Sequence, residues 1–265
     1  MNIPHDYHMH SNFSEDGATS LEEMCRRAVK LGLQEIGFSE HWDVGPYEKN
    51  PRFFQPEPWY MELERLRDLF AGVLTIRAGI EIAEPHLYSQ LAAEVLGGTS
   101  FDYVMGSVHF VGTHFMFDEI YFRTHSVDEV FREYFAEVEK MLQDADIDIL
   151  AHLDVPVRTA KPILGYDPTC YEDQIRHILR LVIDRGIALD VNTAGLRKPA
   201  NALMPDPLIL RWYANMGGTR VTLGSDAHTS SQVGQNLNIA LKAIQAAGLS
   251  QVTQFDLRKA QMVPL

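Results

Sequence analysis

The strongest constraint on the fold is an alternation of strand-like and helix-like segments that repeats seven times along the chain. Short apolar runs such as 74–82 and 187–191 have the length of buried strands, and helical spacing of apolar residues follows each of them. The run 101–111 is also predicted to be a strand. Alternation of this kind is typical of a parallel sheet covered by helices. No change in composition divides the chain, so we expect residues 1–265 to form a single α/β domain.

Three Ser/Thr-x-x-Glu patterns predict where helices begin, because a capping box satisfies backbone N–H groups that are free at a helix N-terminus. We expect the first of these helices to end at Gly32, since glycine readily adopts the left-handed conformation that closes many helices. The three patterns are Ser20–Glu23, Ser126–Glu129 and Thr169–Glu172.

Residues that can bind metals fall at or just after the ends of the predicted strands. In a β/α barrel the carboxyl ends of all strands share one mouth, whereas an open sheet gathers the ends of a few neighbouring strands. This distribution favours a closed barrel over a doubly wound open sheet. The residues are His8, His10, His41, Glu81, His109, His152, Asp226 and His228.

The first of these positions form an H-x-H pattern. If the run is a strand, His8 and His10 point to the same face, because side chains alternate with a period of two. Asp16 follows on a glycine-containing loop. Imidazole and carboxylate together suit a borderline divalent metal such as zinc, iron or manganese.

Each candidate also has an ordinary structural interpretation. A single histidine is more often a core or surface residue, Asp16 precedes Gly17 in what could be a simple turn, and Glu81 could pair with Arg77. Taken together at strand ends, the set favours metal binding. His114 and His125 lie in an irregular stretch near the expected mouth, where contact with substrate and surface placement are both open.

The ordered set resembles the PHP (polymerase and histidinol phosphatase) family along essentially the whole chain. The resemblance implies a distorted seven-stranded, TIM-like (β/α)7 barrel that carries three divalent metal ions, for which zinc, iron and manganese are the candidates. All nine ligand positions of the family are filled by the expected residue types. They are His8, His10, Asp16, His41, Glu81, His109, His152, Asp226 and His228.

Within the family, the segments 106–110, 192–198 and 224–228 look like those of the histidinol-phosphate phosphatases. The total length also fits a stand-alone phosphatase rather than a domain fused to a polymerase. The resemblance implies an enzyme, a phosphoric monoester hydrolase, that converts L-histidinol phosphate to L-histidinol and phosphate in histidine biosynthesis.

The resemblance also implies a mechanism. Three divalent ions would outweigh the three carboxylates Asp16, Glu81 and Asp226 and make the mouth positive, which favours a phosphate dianion. A metal-bound hydroxide would attack phosphorus in line, with Glu81 bridging two ions. Asp226 or a metal-bound water would give a proton to the leaving alkoxide.

Three basic residues follow strands of the predicted sheet. Arg197 and Lys198 follow 187–191, a strand without a candidate metal ligand, and Arg158 follows the strand that ends at His152. Most such side chains are solvated. Because the guanidinium fork matches phosphate oxygens, we favour binding of the substrate phosphate by Arg197 and also by Arg158.

Composition limits the other partners. The net charge of −13 disfavours nucleic acid, which needs a cationic surface, and no apolar run is long enough to cross a membrane. Cys25 and Cys170 lack the spacing of a metal motif, so a cytoplasmic protein is expected. The expected partner is a small phosphorylated molecule, and the oligomeric state is left open.

Three other functions compete with this one. The first is a PHP phosphoesterase of different specificity, acting on sugar or nucleotide phosphates or as a nucleic-acid 3′ exonuclease or diesterase. The second is a metal amidohydrolase, which the carboxylate at Glu81 and the Asp226–His228 pair disfavour. The third is a metal-binding regulatory module, which the complete ligand set disfavours.

Overall fold

The computed structural model describes residues 3–265 and contains a parallel sheet of six strands in the order β1-β2-β3-β6-β7-β8. Two short antiparallel hairpins, β4–β5 and β9–β10, lie outside it. The strands are β1 (Glu35–Trp42), β2 (Thr75–Ala83), β3 (Tyr103–Ser107), β4 (Phe110–Val111), β5 (His114–Phe115), β6 (Ile149–Leu150), β7 (Ala188–Asn192), β8 (Val221–Gly224), β9 (Gln251–Asp256) and β10 (Lys259–Pro264). The helices are α1 (Leu21–Leu31), α2 (Pro56–Leu69), α3 (Ser89–Gly98), α4 (Glu119–Thr124), α5 (Val127–Asp144), α6 (Val157–Leu164), α7 (Glu172–Asp184), α8 (Pro207–Asn215) and α9 (Leu237–Ala246).

The segment 6–9 forms backbone hydrogen bonds with both outer strands of this sheet. The N–H of Ser39, in β1, donates to the carbonyl of Met9 at 2.8 Å, and the N–H of Tyr7 donates to the carbonyl of Leu223, in β8, at 2.8 Å. Only isolated bridges form on each side. The α/β class and the parallel sheet are therefore confirmed, with six regular strands and one bridging segment.

Aromatic side chains fill the space enclosed by the sheet. The rings of Tyr7 and Tyr103 stack with centroids 4.9 Å apart, and the Tyr103 hydroxyl donates to the Tyr7 carbonyl at 2.6 Å. Gly37 and Gly79 lie against the Tyr103 ring, where a β-carbon at either position would overlap it. Two neighbouring strands thus lack side chains at the positions that the tyrosine occupies.

The C-terminal hairpin closes the sheet at the end where the strands begin. The backbone N–H of Phe255 donates to the Tyr7 hydroxyl at 3.2 Å, and the N–H of Leu257 donates to Asp102, which precedes β3, at 3.1 Å. Phe255 also joins the buried cluster around Tyr103. The opposite end, where the strands finish, is left for the site.

The helices pack with one apolar face inward, as their spacing predicts. In α1 the buried residues Leu21, Met24, Cys25 and Ala28 recur along one stripe. Between Ile3 and Leu265, no helix is both long and apolar enough to span a bilayer.

Two of the three predicted patterns begin helices as expected, and the one at Ser126 forms the complete capping box. Ser20 and Ser126 cap α1 and α5, and Gly32 ends α1 in the left-handed conformation. The prediction at Thr169 was wrong. Asp167 caps a 3₁₀ turn there by accepting from the Thr169 N–H at 2.9 Å, and α7 begins only after this turn.

The strand predicted over 101–111 is also shorter than expected. β3 ends at Ser107 because the Glu84 carboxylate accepts the backbone N–H groups of His109 and Phe110, the latter at 2.9 Å. These two N–H groups are then not available to form hydrogen bonds with a neighbouring parallel strand. The chain turns into the β4–β5 hairpin instead.

Candidate active site

The nine residues predicted as metal ligands converge at the carboxyl ends of the strands. His8 comes from the bridging segment 6–9, His10 follows it directly, and Asp16 comes from the next loop. The others lie in β1 and β2 or just after β3, β6 and β8. They surround or approach a cavity of about 840 Å³. Its charged and polar lining includes Asp16, His41, Glu81, His109, His152, Arg158, Arg197, Lys198, Asp226 and His228.

Glu81 lies at the centre of this set. Its Oε2 is 3.1 Å from Nε2 of His8 and 3.3 Å from Nδ1 of His41. Its Oε1 is 3.1 Å from Nε2 of His152 and 3.5 Å from Nε2 of His109. The carboxylate is fully buried. One carboxylate from the middle of the sheet therefore faces imidazoles from four different segments.

Asp226 and Asp16 extend the set towards the cavity entrance. Asp226 Oδ1 lies 3.6 Å from Nε2 of His10 and 3.4 Å from Nδ1 of His228. Asp16 Oδ2 lies 2.9 Å from Nε2 of His228, and Asp16 Oδ1 lies 3.7 Å from Nε2 of His41. Asp16, which could also have been a simple turn residue, thus lies near two other predicted ligands, His41 and His228.

The loop that carries Asp16 is held by a buried carboxylate. Glu40 accepts from the hydroxyls of Ser11 and Ser14, each at 2.6 Å, and from the Ser11 backbone N–H. Gly17 lies so close to the Ser11 carbonyl that a β-carbon would overlap it. Glu40, beside His41 in β1, therefore fixes the loop from behind the site.

The donor atoms lie close enough to hold metal ions. In residues 3–265, four groups of three side chains place one ligand atom each within 4.8 Å of the others. Imidazole nitrogens and carboxylate oxygens of this kind suit zinc, iron or manganese. The groups are His8–Glu81–His152, His8–His10–Asp226, His10–His41–His228 and His41–Asp43–His109.

Buried nitrogen atoms without hydrogen-bond partners show whether metal ions fit these groups. Both ring nitrogens of His10 and Nδ1 of His41 are buried without a hydrogen-bond partner in the described part of the chain. Such groups are costly to bury unless something binds them. A divalent cation accepts electron pairs from imidazole nitrogens, so the donor set fits metal binding.

The charges within the site depend on one another. Burial opposes the imidazolium form of His8, but Glu81, Asp190 and Asp226 raise its pKa well above the usual value. Burial likewise raises the pKa of Glu81, yet His8, His109 and His152 hold it well below its usual range. Burial and neighbouring imidazoles lower the pKa of His10. The carboxylates are thus kept ionised and His10 is kept neutral.

Two of these positions are among the eight residues other than glycine that have a positive φ within residues 3–265. His152 has φ of 22° and Asp226 has φ of 52°, in the region that side chains other than glycine rarely occupy. The Asp226 N–H donates to the His8 carbonyl at 2.6 Å, which holds the strained residue against the bridging segment. Strain of this kind is typical of functional sites.

The two predicted phosphate-binding arginines line the same cavity. Arg197 Nη2 donates to the Asp226 carbonyl at 2.9 Å, and Arg158 Nη1 lies 3.7 Å from Asp226 Oδ2. The Arg158 guanidinium also lies 4.2 Å from the centre of the Phe117 ring. With Lys198 they form a basic cluster, and burial together with the two arginines lowers the pKa of Lys198.

Sequence reasoning missed a second group of charged residues in the cavity. Glu15, Asp43 and Glu48 form an acidic cluster, in which burial and the charge of Asp43 raise the pKa of Glu48 to about 7. Asp43 lies 3.8 Å from His109 and 3.9 Å from His41. Its place just after β1 was a usable signal, whereas nothing in the sequence marks Glu48.

Asp190 was missed as well. It is fully buried in β7, and its Oδ2 lies 2.9 Å from Nδ1 of His8. The signal was the polar alternation Asp190-x-Asn192 in an otherwise apolar strand, which places both side chains on one face.

The two histidines whose placement was open lie away from this centre. His114 is exposed and stacks on Tyr121, with ring centroids 4.4 Å apart, and His125 packs against the same tyrosine. Neither lines the cavity. The residues from this stretch that do line it are Phe110, Phe115 and Phe117.

Solved structures share this fold. The histidinol phosphate phosphatase of Lactococcus lactis, crystallised with zinc, L-histidinol and phosphate, superimposes with a TM-score of 0.90. It is 24% identical, and the match covers 98% of this chain and 99% of that one. At this identity the likeness shows the fold.

Sequence comparison identifies the family. A probable histidinol-phosphatase of Deinococcus radiodurans is 33% identical in an alignment of 270 positions that covers 97% of this chain and 98% of the relative. The histidinol-phosphatase of Lactococcus lactis is 26% identical over 95% of this chain and 94% of its own. The model of the PHP domain matches residues 6–194. The resemblance that the ordered ligand set indicated is confirmed, and the chain belongs to the PHP domain family.

Proposed function

We propose that this protein is a metal-dependent phosphatase that hydrolyses L-histidinol phosphate to L-histidinol and phosphate, a reaction of histidine biosynthesis. Relatives named histidinol-phosphatase support the reaction, and one solved relative holds zinc, L-histidinol and phosphate. The observation that carries the proposal is the division of one cavity into a basic cluster beside Asp226 and an acidic cluster beside His41 and His109. Histidinol phosphate has a phosphate and an ammonium group to match them.

The nine convergent residues would hold three divalent ions, with zinc, iron or manganese as candidates. When bound, such ions acidify water and offset the charge of the phosphate. His10 and its neighbours have the unsatisfied nitrogens that this role needs. The close groups His8–His10–Asp226, His8–Glu81–His152 and His10–His41–His228 would supply most of the donor atoms. Asp16 beside His228 and His109 beside Glu81 would complete the set.

The basic cluster would orient the phosphate. The guanidinium of Arg197 is partly buried and anchored to the Asp226 carbonyl through Nη2, while Nη1 has no partner within residues 3–265. Nη1 is therefore free to donate to a phosphate oxygen. Arg158, held over Phe117, is placed to bind a second oxygen, and Lys198 adds positive charge.

Asp226 would move the proton. Burial opposes its ionisation, but His8 and His228 lower its pKa, so the carboxylate is ionised when substrate arrives. It would accept a proton from the attacking water and return it to the alkoxide as the P–O bond breaks. Glu81 would keep the imidazoles around the reacting centre in place.

The acidic cluster would select the rest of the substrate. Glu48 ionises readily beside a cation, because its pKa lies about 7 in the free protein. It would pair with the ammonium group together with Asp43. Phe110, Phe115 and Phe117 would enclose the imidazole ring, since aromatic faces suit a flat, partly apolar group.

We further propose that the bridging segment 6–9 acts as the seventh strand of a distorted TIM-like barrel, and that residues 1–265 form one PHP-type phosphoesterase domain. The hydrogen bonds from Tyr7 and to Met9 support closure, because they join the two outer strands of the sheet. A cytoplasmic location and the absence of nucleic-acid substrates stay predictions.

Phosphate release from a panel of esters tests the function. The zinc- or manganese-loaded protein should hydrolyse histidinol phosphate at least about 100-fold more efficiently than ethyl phosphate or glucose 6-phosphate, because only histidinol phosphate fills both clusters. Equal rates on all monoesters would remove the specific assignment and leave the phosphatase class. Preferential cleavage of a diester or of a single-stranded oligonucleotide from its 3′ end would establish the alternative function.

A further inference from the structure

β7 supplies none of the nine predicted ligands, yet it places a carboxylate directly against one of them. Asp190 is fully buried, and its Oδ2 lies 2.9 Å from Nδ1 of His8. In the sheet Asp190 is level with Thr222, and Asn192 is level with Gly224. Asp190 and Asn192 therefore share the face that looks towards the bridging segment.

This contact fixes the protonation of the His8 ring. An ionised carboxylate only accepts hydrogen bonds, so the hydrogen of a neutral His8 ring belongs on Nδ1. The lone pair is then left on Nε2, which points at Oε2 of Glu81, 3.1 Å away, and at Oδ1 of Asp226, 4.0 Å away. His8 thus presents its electron pair to the centre of the site.

The carboxylate is itself held in one orientation. Asn192 Oδ1 accepts the backbone N–H of Ala194 at 2.9 Å, so the amide nitrogen must face the other way. That nitrogen donates to Asp190 Oδ2 at 3.1 Å. The order of the amide atoms is therefore set by the backbone, and the amide in turn fixes Asp190.

The sheet also leaves room for the pair. A β-carbon at Gly224 would come within 2.5 Å of both Asp190 Oδ1 and the β-carbon of His8. Any side chain at this position of β8 would displace the carboxylate or the ring. The space between β7, β8 and the bridging segment is thus occupied by the Asp190–His8 pair.

We propose that Asp190 is a positioning residue that holds His8 with its hydrogen on Nδ1 and so strengthens the binding of a divalent metal ion through Nε2. The inference rests on the metal site of the proposed function. Hydrogen bonds from a ligating imidazole to a carboxylate orient the ring and increase its basicity, and their loss typically weakens metal binding 10- to 100-fold.

Zinc titration of the metal-free protein against a chromophoric chelator tests the role of Asp190 without any substrate. Asp190→Ala should weaken one zinc-binding step about 10- to 100-fold, and Asp190→Asn should weaken it less, because its amide oxygen still accepts a hydrogen bond. Asp102→Asn is the matched control. It alters another buried carboxylate, which accepts the Ala78 N–H at 2.8 Å at the opposite end of the sheet, and should bind zinc like the parent.

A double-mutant cycle separates positioning from packing. If Asp190 acts through His8, then His8→Ala/Asp190→Asn should bind zinc no more weakly than His8→Ala alone. Imidazole ¹⁵N NMR of the metal-free parent, recorded at a pH above the raised pKa of His8, should show the hydrogen of the neutral ring on Nδ1, and Asp190→Ala should show a mixture of tautomers. Additive losses in the cycle, unchanged zinc affinity in Asp190→Ala, or an unchanged tautomer would each overturn the proposal.

The outcome is distinguishable from failure of the proposed function. A parent protein that binds zinc but does not hydrolyse histidinol phosphate would leave the role of Asp190 intact, because the titration measures only metal. A parent that takes up no zinc would overturn both. Circular dichroism and the urea midpoint of each metal-free variant identify any loss of affinity that comes from unfolding.

Discussion

Nε2 of His8 lies 3.1 Å from Oε2 of Glu81, although 73 positions separate the two residues in the sequence. Both side chains are fully buried. A buried carboxylate between several imidazoles keeps them close together, and its charge stabilises any cation that they share. The pair is thus the point at which the bridging segment meets the middle of the sheet.

Glu81→Gln should therefore abolish activity and empty the site of part of its metal. We expect kcat/KM for histidinol phosphate to fall at least about 100-fold and bound zinc to fall by one ion or more per chain, since the neutral amide cannot balance the metal charge. Elemental analysis and phosphate release measure the two effects. The control is Glu137→Gln, a buried carboxylate on α5, and unchanged metal content in Glu81→Gln would contradict the bridging role.

Arg197→Ala should lower kcat/KM for histidinol phosphate without a large loss in the free energy of unfolding. Loss of a charge-assisted contact with phosphate costs about 2–3 kcal/mol, which corresponds to a fall in kcat/KM of roughly 30- to 150-fold. Arg197→Lys should recover only part of it, because an ammonium group lacks the planar fork that can reach the Asp226 carbonyl and a phosphate oxygen at once. Steady-state kinetics measure the loss, with Arg123→Ala, an exposed arginine on α4, as the control. Equal kcat/KM values for Arg197→Ala and Arg123→Ala would show that Arg197 does not bind the substrate phosphate.

Glu48→Gln should reduce selectivity rather than general phosphatase activity. The variant keeps the size of the side chain and removes the charge that would pair with the ammonium group. We expect kcat/KM to fall about 10-fold or more for histidinol phosphate and to change less than about 2-fold for ethyl phosphate, which lacks that group. Glu57→Gln, the same substitution at an exposed residue of α2 outside the cavity, is the control. Parallel losses on both esters would show that Glu48 has no part in selection.

Sequence patterns predicted which side chains converge better than they predicted the local backbone. The proximity of His8, His10 and Glu81 was predictable because metal chemistry restricts residue type, and because strand ends in a parallel sheet meet at one edge. Glu48 was not found, since it lies in a loop whose path depends on tertiary packing. Asp190 was missed because its partner is a side chain from the other end of the chain.

The errors in the fold have a similar origin. Thr169 matched a capping box, in which the Glu172 side chain would accept the Thr169 N–H. Asp167 accepts that N–H instead, and α7 begins later than predicted. The strand predicted to continue to Val111 stops at Ser107, because Glu84 from another segment takes its backbone donors. In each case a side chain competes with the regular backbone ladder, and local periodicity does not report such competition.

The stability of the fold should depend on pH through Glu137. Its Oε1 lies 2.7 Å from His86 Nε2, and this contact, against burial and together with Lys140, lowers the carboxyl pKa to about 2. Since that is below the ordinary value near 4.5, the carboxylate stabilises the fold fully above about pH 4.5 and ceases to do so as the pH falls towards 2. Glu137→Gln should cost about 1–2 kcal/mol at neutral pH after screening by solvent.

Urea unfolding at pH 7, 5 and 3 measures this difference in the free energy of unfolding. The gap between the parent and Glu137→Gln should be constant from pH 7 to 5 and should shrink at pH 3. The exposed residue Glu133 lies on the same helix, so Glu133→Gln serves as the control and should differ little from the parent. A gap that widens as the pH falls would reverse the sign of the predicted linkage.

The packing of Tyr103 inside the sheet should make Gly79 irreplaceable. A β-carbon there would overlap the ring, whose hydroxyl is tied to the Tyr7 carbonyl and which therefore cannot move aside freely. Gly79→Ala should lower the free energy of unfolding by about 2–4 kcal/mol. Gly97→Ala is the matched control, because no atom lies within 4 Å of its added β-carbon in α3, and it should raise stability by up to about 1 kcal/mol. Urea midpoints of the two metal-free variants measure both effects, and similar small changes in the two would show that the interior around Tyr103 is loosely packed.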